Sequence, residues 1–321
     1  MVSDRDIDKA VAILRAGGLV AFPTETVYGL GADASNIDAL KKLYAAKGRP
    51  GDHPVIVHLA DAAQLPVWAR AIPASAHKLA EKFWPGPLTM ILPRAPQVLD
   101  AVTGGQASVG LRVPSHPVAR RLLAAFGGGI AAPSANRFGH VSATTAAHVH
   151  AEFGSDIDLI LEGGATEVGI ESTIVDLTST MPTVLRPGHI SAADIADALG
   201  VMPDAASRDS PRVPGSLARH YAPATPLMLV EADLLIELAA TLTRQGQKVA
   251  VLALSALQPL LAGLVWRAAS AEAQTYAHSL YANLRELDAA GCDVILAEQV
   301  PDAPAWTAVR DRLSRAATRG A

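Results

Sequence analysis

Residues 107–136 read ASVGLRVPSHPVARRLLAAFGGGIAAPSAN, a strand, a helix and a second strand in one run. Over 107–113, Val109, Leu111 and Val113 fall on one side of an alternating segment, and Arg112 falls on the other. A helix fits 117–126, glycines follow it, and a short apolar strand fits 129–132. That strand runs straight into Pro133-Ser134-Ala135-Asn136. Strand–helix–strand order with polar residues at a strand end predicts an α/β domain that takes a ligand there.

Reading outward, Ile7, Val11 and Leu14 recur at helical spacing and predict a helix over 4–16, stopped by Gly17-Gly18. Further helices fit 37–46, 73–84, 144–153 and 191–199, and strands fit 19–22, 54–60, 88–92, 157–161 and 173–177. Several strands follow one another with no helix between, which predicts a mixed rather than a purely parallel sheet. Pro203, Pro211, Pro214, Gly215 and Pro223 mark 203–225 as a linker. Beyond it, strands over 227–231, 248–254 and 292–297 and helices over 232–244, 271–289 and 305–317 predict a small α/β module with Rossmann-like layering. No G-x-G-x-x-G occurs in it, so no dinucleotide site follows. The expected organisation is a first domain over 1–202, a linker over 203–225 and a second domain over 226–321.

The chain of 321 residues is half apolar and under a fifth charged, as a packed globular protein requires. A net charge of −4 argues against a strongly basic nucleic-acid binder but not against a local cationic cleft. Cys292 is the sole cysteine, which excludes an internal disulfide and leaves no zinc-ligand spacing. The polar start (Ser3, Asp4, Arg5, Asp6) does not fit a signal peptide, and no stretch reaches the length of an apolar span; a cytoplasmic location is expected.

Four clusters place polar groups at the ends of apolar segments. Pro23-Thr24-Glu25-Thr26 begins a glycine-containing turn, where the hydroxyls either satisfy the backbone or meet a ligand. Lys47-Gly48-Arg49-Pro50 follows a helix; its cations suit the helix dipole, or clamp phosphates as point charge and planar fork. The third is the Ser134/Asn136 run with Ser142 and Thr144, one of which fits a helix N-cap. The fourth is Gly169-Ile170-Glu171-Ser172-Thr173 with Arg186 downstream, which has a surface reading as well. His58 lies inside an apolar strand, as a core histidine or as a ligand contact. Arg112, in mid-strand, must pair or reach solvent, and a carboxylate partner from the protein or from a ligand would satisfy it.

Together these stretches resemble the threonylcarbamoyl-AMP synthase family, built on a YrdC-like domain. The matching segments are FPTETVYGLGA (22–32), KGRP (47–50) with HPVIVHLA (53–60), WPGPLTMIL (84–92), VGLRVPSHP (109–117), APSAN (132–136), GIESTIVD (169–176) and LRPG (185–188), in the family's order. The run His220-Tyr221-Ala222-Pro223 resembles the linker of the family's two-domain version. A departure is Ser216-Leu217-Ala218 after Pro214-Gly215, where the family has a Met-Lys-Tyr-type run.

The resemblance implies a YrdC-like twisted mixed-sheet domain joined by the linker to the small α/β domain. It implies that L-threonine, bicarbonate or CO2 and ATP give threonylcarbamoyl-AMP and pyrophosphate, for a separate transferase complex that modifies tRNA beside the anticodon. By matching position, Lys47 and Arg49 would be catalytic, and Ser134, Asn136, Ser142, Arg186 and Tyr221 would contact ATP with them. Thr24, His58, Arg112 and Ser172 would hold threonine. Mg²⁺ would be held mainly by ATP, with no protein metal site. Two rivals stand beside this: an RNA- or tRNA-binding module without adenylating activity, and a carbamoyl-phosphate-using adenylating enzyme. The first does not require the Arg112/His58/Ser172 pocket. The second usually carries zinc fingers that one cysteine cannot supply.

Overall fold

The computed structural model describes residues 2–207, 209–217, 219–260 and 263–317, and the chain divides into two compact units. Unit 1 holds Met1–Phe138 and Ser142–Ser216; unit 2 holds Gly139–Val141 and Leu217–Ala321. Ala218, part of the departure noted above, lies outside the described residues.

Unit 1 contains, in order, α1 (Asp4–Arg15), β1 (Val20–Phe22), β2 (Gly29–Asp33), α2 (Ile37–Lys47), β3 (Ile56–His58), α3 (Leu65–Trp68), α4 (Ala74–Phe83), β4 (Leu88–Pro93), α5 (Asp100–Thr103), β5 (Ser108–Arg112), α6 (Pro117–Phe126), β6 (Ile130–Ala131), α7 (Ala146–Phe153), β7 (Leu159–Ile160), β8 (Thr173–Asp176), β9 (Thr183–Arg186), α8 (Ala192–Leu199) and β10 (Asp204–Ala205). The helices start and stop on local chemistry. Ser3 and Asp6 form a capping box on α1, and α6 has Pro117 in its first turn and Gly127 in the left-handed conformation at its end. The ten strands form one mixed sheet in the order β10-β9-β8-β4-β5-β3-β6-β2-β1-β7.

Side-chain alternation along these strands divides the sheet into two faces. Val57, Met90, Leu92, Leu111 and Val175 pack with Leu40 and Leu43 of α2, Leu79 of α4, Val149 of α7 and Ile195 of α8. On the other face, α1 and α6 supply Ile7, Leu14, Val118 and Leu122 to a second core with Phe22 and Ile130. Further along that face, Ile56, Ile91, Ile174 and Leu185 bury Val213, from the segment after the sheet.

Four strands depart from the sequence expectation; one is β9, which the strand ranges above do not include. Gly29–Asp33 pairs with β1 and β6, although its composition reads as a turn. Its glycine is needed: a Cβ on Gly31 would lie 2.8 Å from the Phe22 ring across the strand pair. Asp204–Ala205, expected in the linker, pairs in parallel with β9.

Unit 2 contains β11 (Leu227–Val230), α9 (Ala232–Arg244), β12 (Val249–Ala253), β13 (Leu264–Ala268), α10 (Ala273–Ala289), β14 (Val294–Glu298) and α11 (Thr307–Ala316). Its strands are all parallel, in the order β11-β14-β12-β13. The fourth departure is β13, which the sequence reading lacks. At the carboxyl end of β14, Glu298 accepts backbone N–H bonds from Leu254 at 2.7 Å, from Ser255 at 3.0 Å and from Ala256 at 3.1 Å.

Candidate active site

The site of unit 1 grows from one row of the sheet. Ile56, Gly110 and Ile91 are register neighbours across β3, β5 and β4 and form an apolar floor. Two residues on, the same faces of β3 and β5 carry His58 and Arg112, themselves register partners. Thr89, at the start of β4, and Ser172, just before β8, share a 2.8 Å hydroxyl hydrogen bond. The sheet thus turns from apolar to polar within one step, and each polar side chain is buried.

Arg112 is committed to the turn between β1 and β2. Its Nη2 donates to Glu25 Oε1 at 2.7 Å and to Thr26 Oγ1 at 2.8 Å, and the other Glu25 oxygen accepts from Ser115 N–H at 3.0 Å. Burial by itself would raise the Glu25 carboxyl, but the Arg112 charge and these hydrogen bonds outweigh it and hold it below the usual carboxylate range. Arg112 Nε is buried with no hydrogen-bond partner. That donor is available to an acceptor entering from outside the chain.

His58 is pushed down to about 3, by burial first and by the neighbouring Arg112 charge second. It is therefore neutral at physiological pH, and its Nδ1 is buried without a hydrogen bond. Its ring meets Phe22 edge to face at 6.2 Å. A neutral imidazole with an unused nitrogen suits contact with a polar ligand better than a second cation would.

Thr24 behaves as a turn residue. Its hydroxyl accepts from the Thr26 and Val27 N–H groups at 3.2 and 3.3 Å and donates to Val27 C=O at 2.6 Å. It also bonds the Thr26 hydroxyl at 2.8 Å, so Thr24 braces the residue that holds Arg112.

Lys47 and Arg49 flank Gly48, which ends α2 in the left-handed conformation at φ 61°. Gly48 N–H bonds Ala45 C=O and Arg49 N–H bonds Tyr44 C=O, the two bonds of a Schellman turn, which a glycine makes without strain. Lys47 Nζ donates to Ser134 C=O at 2.6 Å and to Asn136 C=O. Burial, then the Arg49 charge, hold the ammonium well below the ordinary lysine range. Two of its three N–H groups tie down the loop, and the third is left for an anion. Arg49 donates to Pro54 C=O at 2.7 Å and lies 5.5 Å from the Phe138 ring. The loop is pinned from its other side as well: Leu30 N–H bonds Pro133 C=O at 2.8 Å and Ala135 N–H bonds Tyr28 C=O at 2.7 Å.

Ser142 donates to Glu171 Oε1 at 2.5 Å, and both residues are buried. Arg186 Nε and Nη2 donate to Ser172 C=O at 3.1 and 2.9 Å, and Nη2 reaches the Ser172 hydroxyl at 3.1 Å. Tyr221 belongs to unit 2, where its ring stacks on Tyr281 at 5.8 Å.

Unit 1 therefore brings Arg112, His58 and Ser172 onto one polar face, and Lys47, Ser134 and Asn136 into one bonded loop. The sequence reading missed Glu25, Thr26, Thr89 and Glu171 as bonding partners. The signal for Glu25 was present, since a buried mid-strand arginine demands a carboxylate. Among the described residues, no group of three or more His, Cys, Asp or Glu residues is placed to hold a metal ion. Nor is any helix long and apolar enough to cross a membrane. The two buried carboxylates of the site, Glu25 and Glu171, are bonded to Arg112 and Ser142, and the other groups are cations, hydroxyls and amides.

Residues 12–188 match the Sua5–YciO–YrdC family, described as telomere recombination, and residues 190–318 match the family described as threonylcarbamoyl-AMP synthase, C-terminal domain. The chain is 41% identical over 318 residues to the threonylcarbamoyl-AMP synthase of Pyrococcus abyssi, covering 96% of this chain and 92% of that protein. It is likewise 41% identical over 324 residues to the threonylcarbamoyl-AMP synthase of Bacillus subtilis, covering 98% of this chain and 94% of that one. A crystal structure of P. abyssi Sua5 complexed with L-threonine matches with a TM-score of 0.91 at 39% identity, covering 98% of this chain and 95% of that one.

Proposed function

The chain belongs to the threonylcarbamoyl-AMP synthase family, and from that premise we propose that it condenses L-threonine, CO2 or bicarbonate and ATP into threonylcarbamoyl-AMP and pyrophosphate. The observation that supports this most is the division of unit 1 into two chemically distinct halves. One half is the Arg112/His58/Ser172 face, with an unused arginine N–H and a neutral imidazole. The other is the Lys47 loop, with an ammonium that has one donor to spare.

The threonine amine captures CO2 as a carbamate with its proton released to solvent, and the anionic carbamate oxygen attacks the α-phosphorus while pyrophosphate leaves. The nucleophile is already charged, so the site needs no strong base. It must bring two anions together and stabilise charge on the phosphates, which positioning and fixed cations supply. In this reading Arg112 takes the threonine carboxylate through its Nε side, with His58, Ser172 and Thr24 around the amino acid. Lys47 and Arg49 face the triphosphate, and Ser134, Asn136, Ser142 and Arg186 complete the ATP side. Tyr221 is assigned to ATP from its position in the His-Tyr-Ala-Pro run alone. ATP enters as its magnesium complex, the metal held by phosphate oxygens and water. The product serves a separate transferase complex acting on tRNA.

The test is pyrophosphate release from ATP, measured with and without threonine and bicarbonate, with serine as competitor. Release that depends on both co-substrates supports the reading. No release, together with tight salt-sensitive binding of tRNA, would replace it with the RNA-binding alternative.

A further inference from the structure

Within unit 1, the segment after Pro211 is held against the sheet by a residue outside the motifs of the site. Gln106 presents both ends of its amide to Arg212: Oε1 accepts from Arg212 N–H at 2.8 Å, and Nε2 donates to Arg212 C=O at 2.9 Å. This two-way bond fixes Arg212 as a neighbouring strand would. The Arg212 side chain adds a 3.3 Å bond to Gly104 C=O and a 3.6 Å ion pair with Asp52.

Fixing Arg212 places the next two residues. Val213 is 5% exposed and sits on Ile56, Ile91, Ile174 and Leu185. Gly110 keeps that floor low, because a Cβ there would lie 3.2 Å from Ile91 Cδ1 and 3.4 Å from Ile56 Cγ1. Pro214 then turns its carbonyl to Arg186, whose Nη1 donates to it at 2.9 Å. The remaining guanidinium nitrogens of Arg186 are the ones that hold Ser172. An unbroken series of contacts thus runs from Gln106 through Arg212, Val213 and Pro214 to Arg186 and Ser172.

We propose that Gln106 is a positioning residue for the amino-acid half of the site. It clips Arg212, seats Val213 and so sets the Pro214 carbonyl that orients Arg186 against Ser172. The clip is a matter of structure alone; its effect on threonine rests on the proposed function, which assigns Ser172 to that substrate. Gln106 is not among the residues assigned to a substrate, so its loss acts through Arg186 and Ser172: directly on the threonine side through Ser172, and more weakly on the ATP side through Arg186.

Two readouts on the full chain test this in Gln106→Ala and Gln106→Glu. The bond between Arg212 and Val213 is a trypsin site that the clip shields, so cleavage there, followed by mass spectrometry, reads the clip without catalysis. Threonine and ATP KM values in the pyrophosphate assay read the site. A net hydrogen bond changes an equilibrium by roughly two- to tenfold. Gln106→Ala should speed cleavage after Arg212 about fivefold or more and raise the threonine KM by roughly three- to tenfold, with a smaller rise in the ATP KM through Arg186 and kcat within about twofold. Gln106→Glu keeps the acceptor and loses the donor, and should fall between Gln106→Ala and wild type. Unchanged cleavage, or faster cleavage with an unchanged threonine KM, overturns the proposal. So does a uniform loss of kcat with a lowered melting temperature, which would mark a purely structural role. A wild-type chain that releases no threonine-dependent pyrophosphate would sink the functional reading and this role with it, whereas an active wild type with an indifferent Gln106→Ala sinks only the clip.

Discussion

Arg112 and Glu25 form a buried ion pair, with Nη2 and Oε1 2.7 Å apart and neither side chain more than 5% exposed. The pair pre-orients Arg112: its Nη2 edge is bonded to the turn, and its Nε lies without a partner. A guanidinium held this way does not have to be ordered when a ligand carboxylate arrives, which lowers the entropic cost of binding.

Glu25→Gln should therefore do two things. It leaves Arg112 buried with an uncompensated charge, and breaking such a pair costs about 3–5 kcal/mol. Urea denaturation should show a loss of at least about 3 kcal/mol. The threonine KM should rise as well, since the arginine is free to turn. A variant as stable as wild type would mean that water or another group replaces the carboxylate, and the pre-orientation argument would fail.

His58 predicts a specific acid sensitivity. Its folded-state pKa of about 3 lies below the ordinary 6.5, so between those values the unfolded chain binds the proton and the folded protein does not. Its contribution is complete above pH 6.5 and is lost as the pH falls toward 3, at up to about 1.4 kcal/mol per pH unit. Glu25, whose carboxyl is held low, loses its contribution in the more acidic part of the same range as it protonates. His58→Gln should flatten the fall in stability between pH 6 and pH 5, where Glu25 is still ionised. An unchanged slope over that interval would show that His58 is hydrated or paired in solution.

Much of this was legible in the residues, and what was not has identifiable physical causes. The helix over 117–126 is read to the residue because Pro117 and Gly127 punctuate both ends. The Arg112 side of the sheet is read from alternation alone, since parity puts Leu111 in the core and Arg112 opposite. Gly29–Asp33 is not legible as a strand: Gly31 is there for the Phe22 ring on the neighbouring strand, a contact with no local signature. Among the described residues Leu264–Ala268 pairs only with β12, and an edge strand is not obliged to alternate. Glu171 stands in a motif whose spacing names no partner for it, because its hydrogen bond to Ser142 spans 29 residues of sequence.

In unit 2, Glu298 closes the loop that follows β12. Its carboxylate accepts from three consecutive backbone N–H groups and from the Ser255 hydroxyl. Glu298→Gln puts an amide NH2 against those donors and removes the charge that strengthens each bond. Hydrogen bonds to charged groups contribute about 1.5–3 kcal/mol, so a loss of about 2 kcal/mol in unfolding free energy is expected. Hydrogen exchange at Leu254, Ser255 and Ala256 would localise it. Full protection of those amides in the variant would show that the loop is held by something else.

Lys47 and Arg112 should separate the two substrates. Lys47 ties the Ser134 and Asn136 carbonyls, and burial with the Arg49 charge holds its ammonium below the usual lysine range. On the proposed function a bound triphosphate would add negative charge beside it and favour the protonated form, so ATP binding should weaken as the pH rises through a value below 10.5. Lys47→Met removes that dependence and should raise the ATP KM by tenfold or more, on the order of 1.4 kcal/mol. Lys47→Arg should not rescue it, because a planar fork does not fit a fully enclosed site shaped for a point charge. Arg112→Ala should instead raise the threonine KM with little change in that for ATP, and its ATP KM should keep the wild-type pH profile. If both variants raised both KM values alike, the cations would act as one cluster, and the assignment of separate halves would have to be withdrawn.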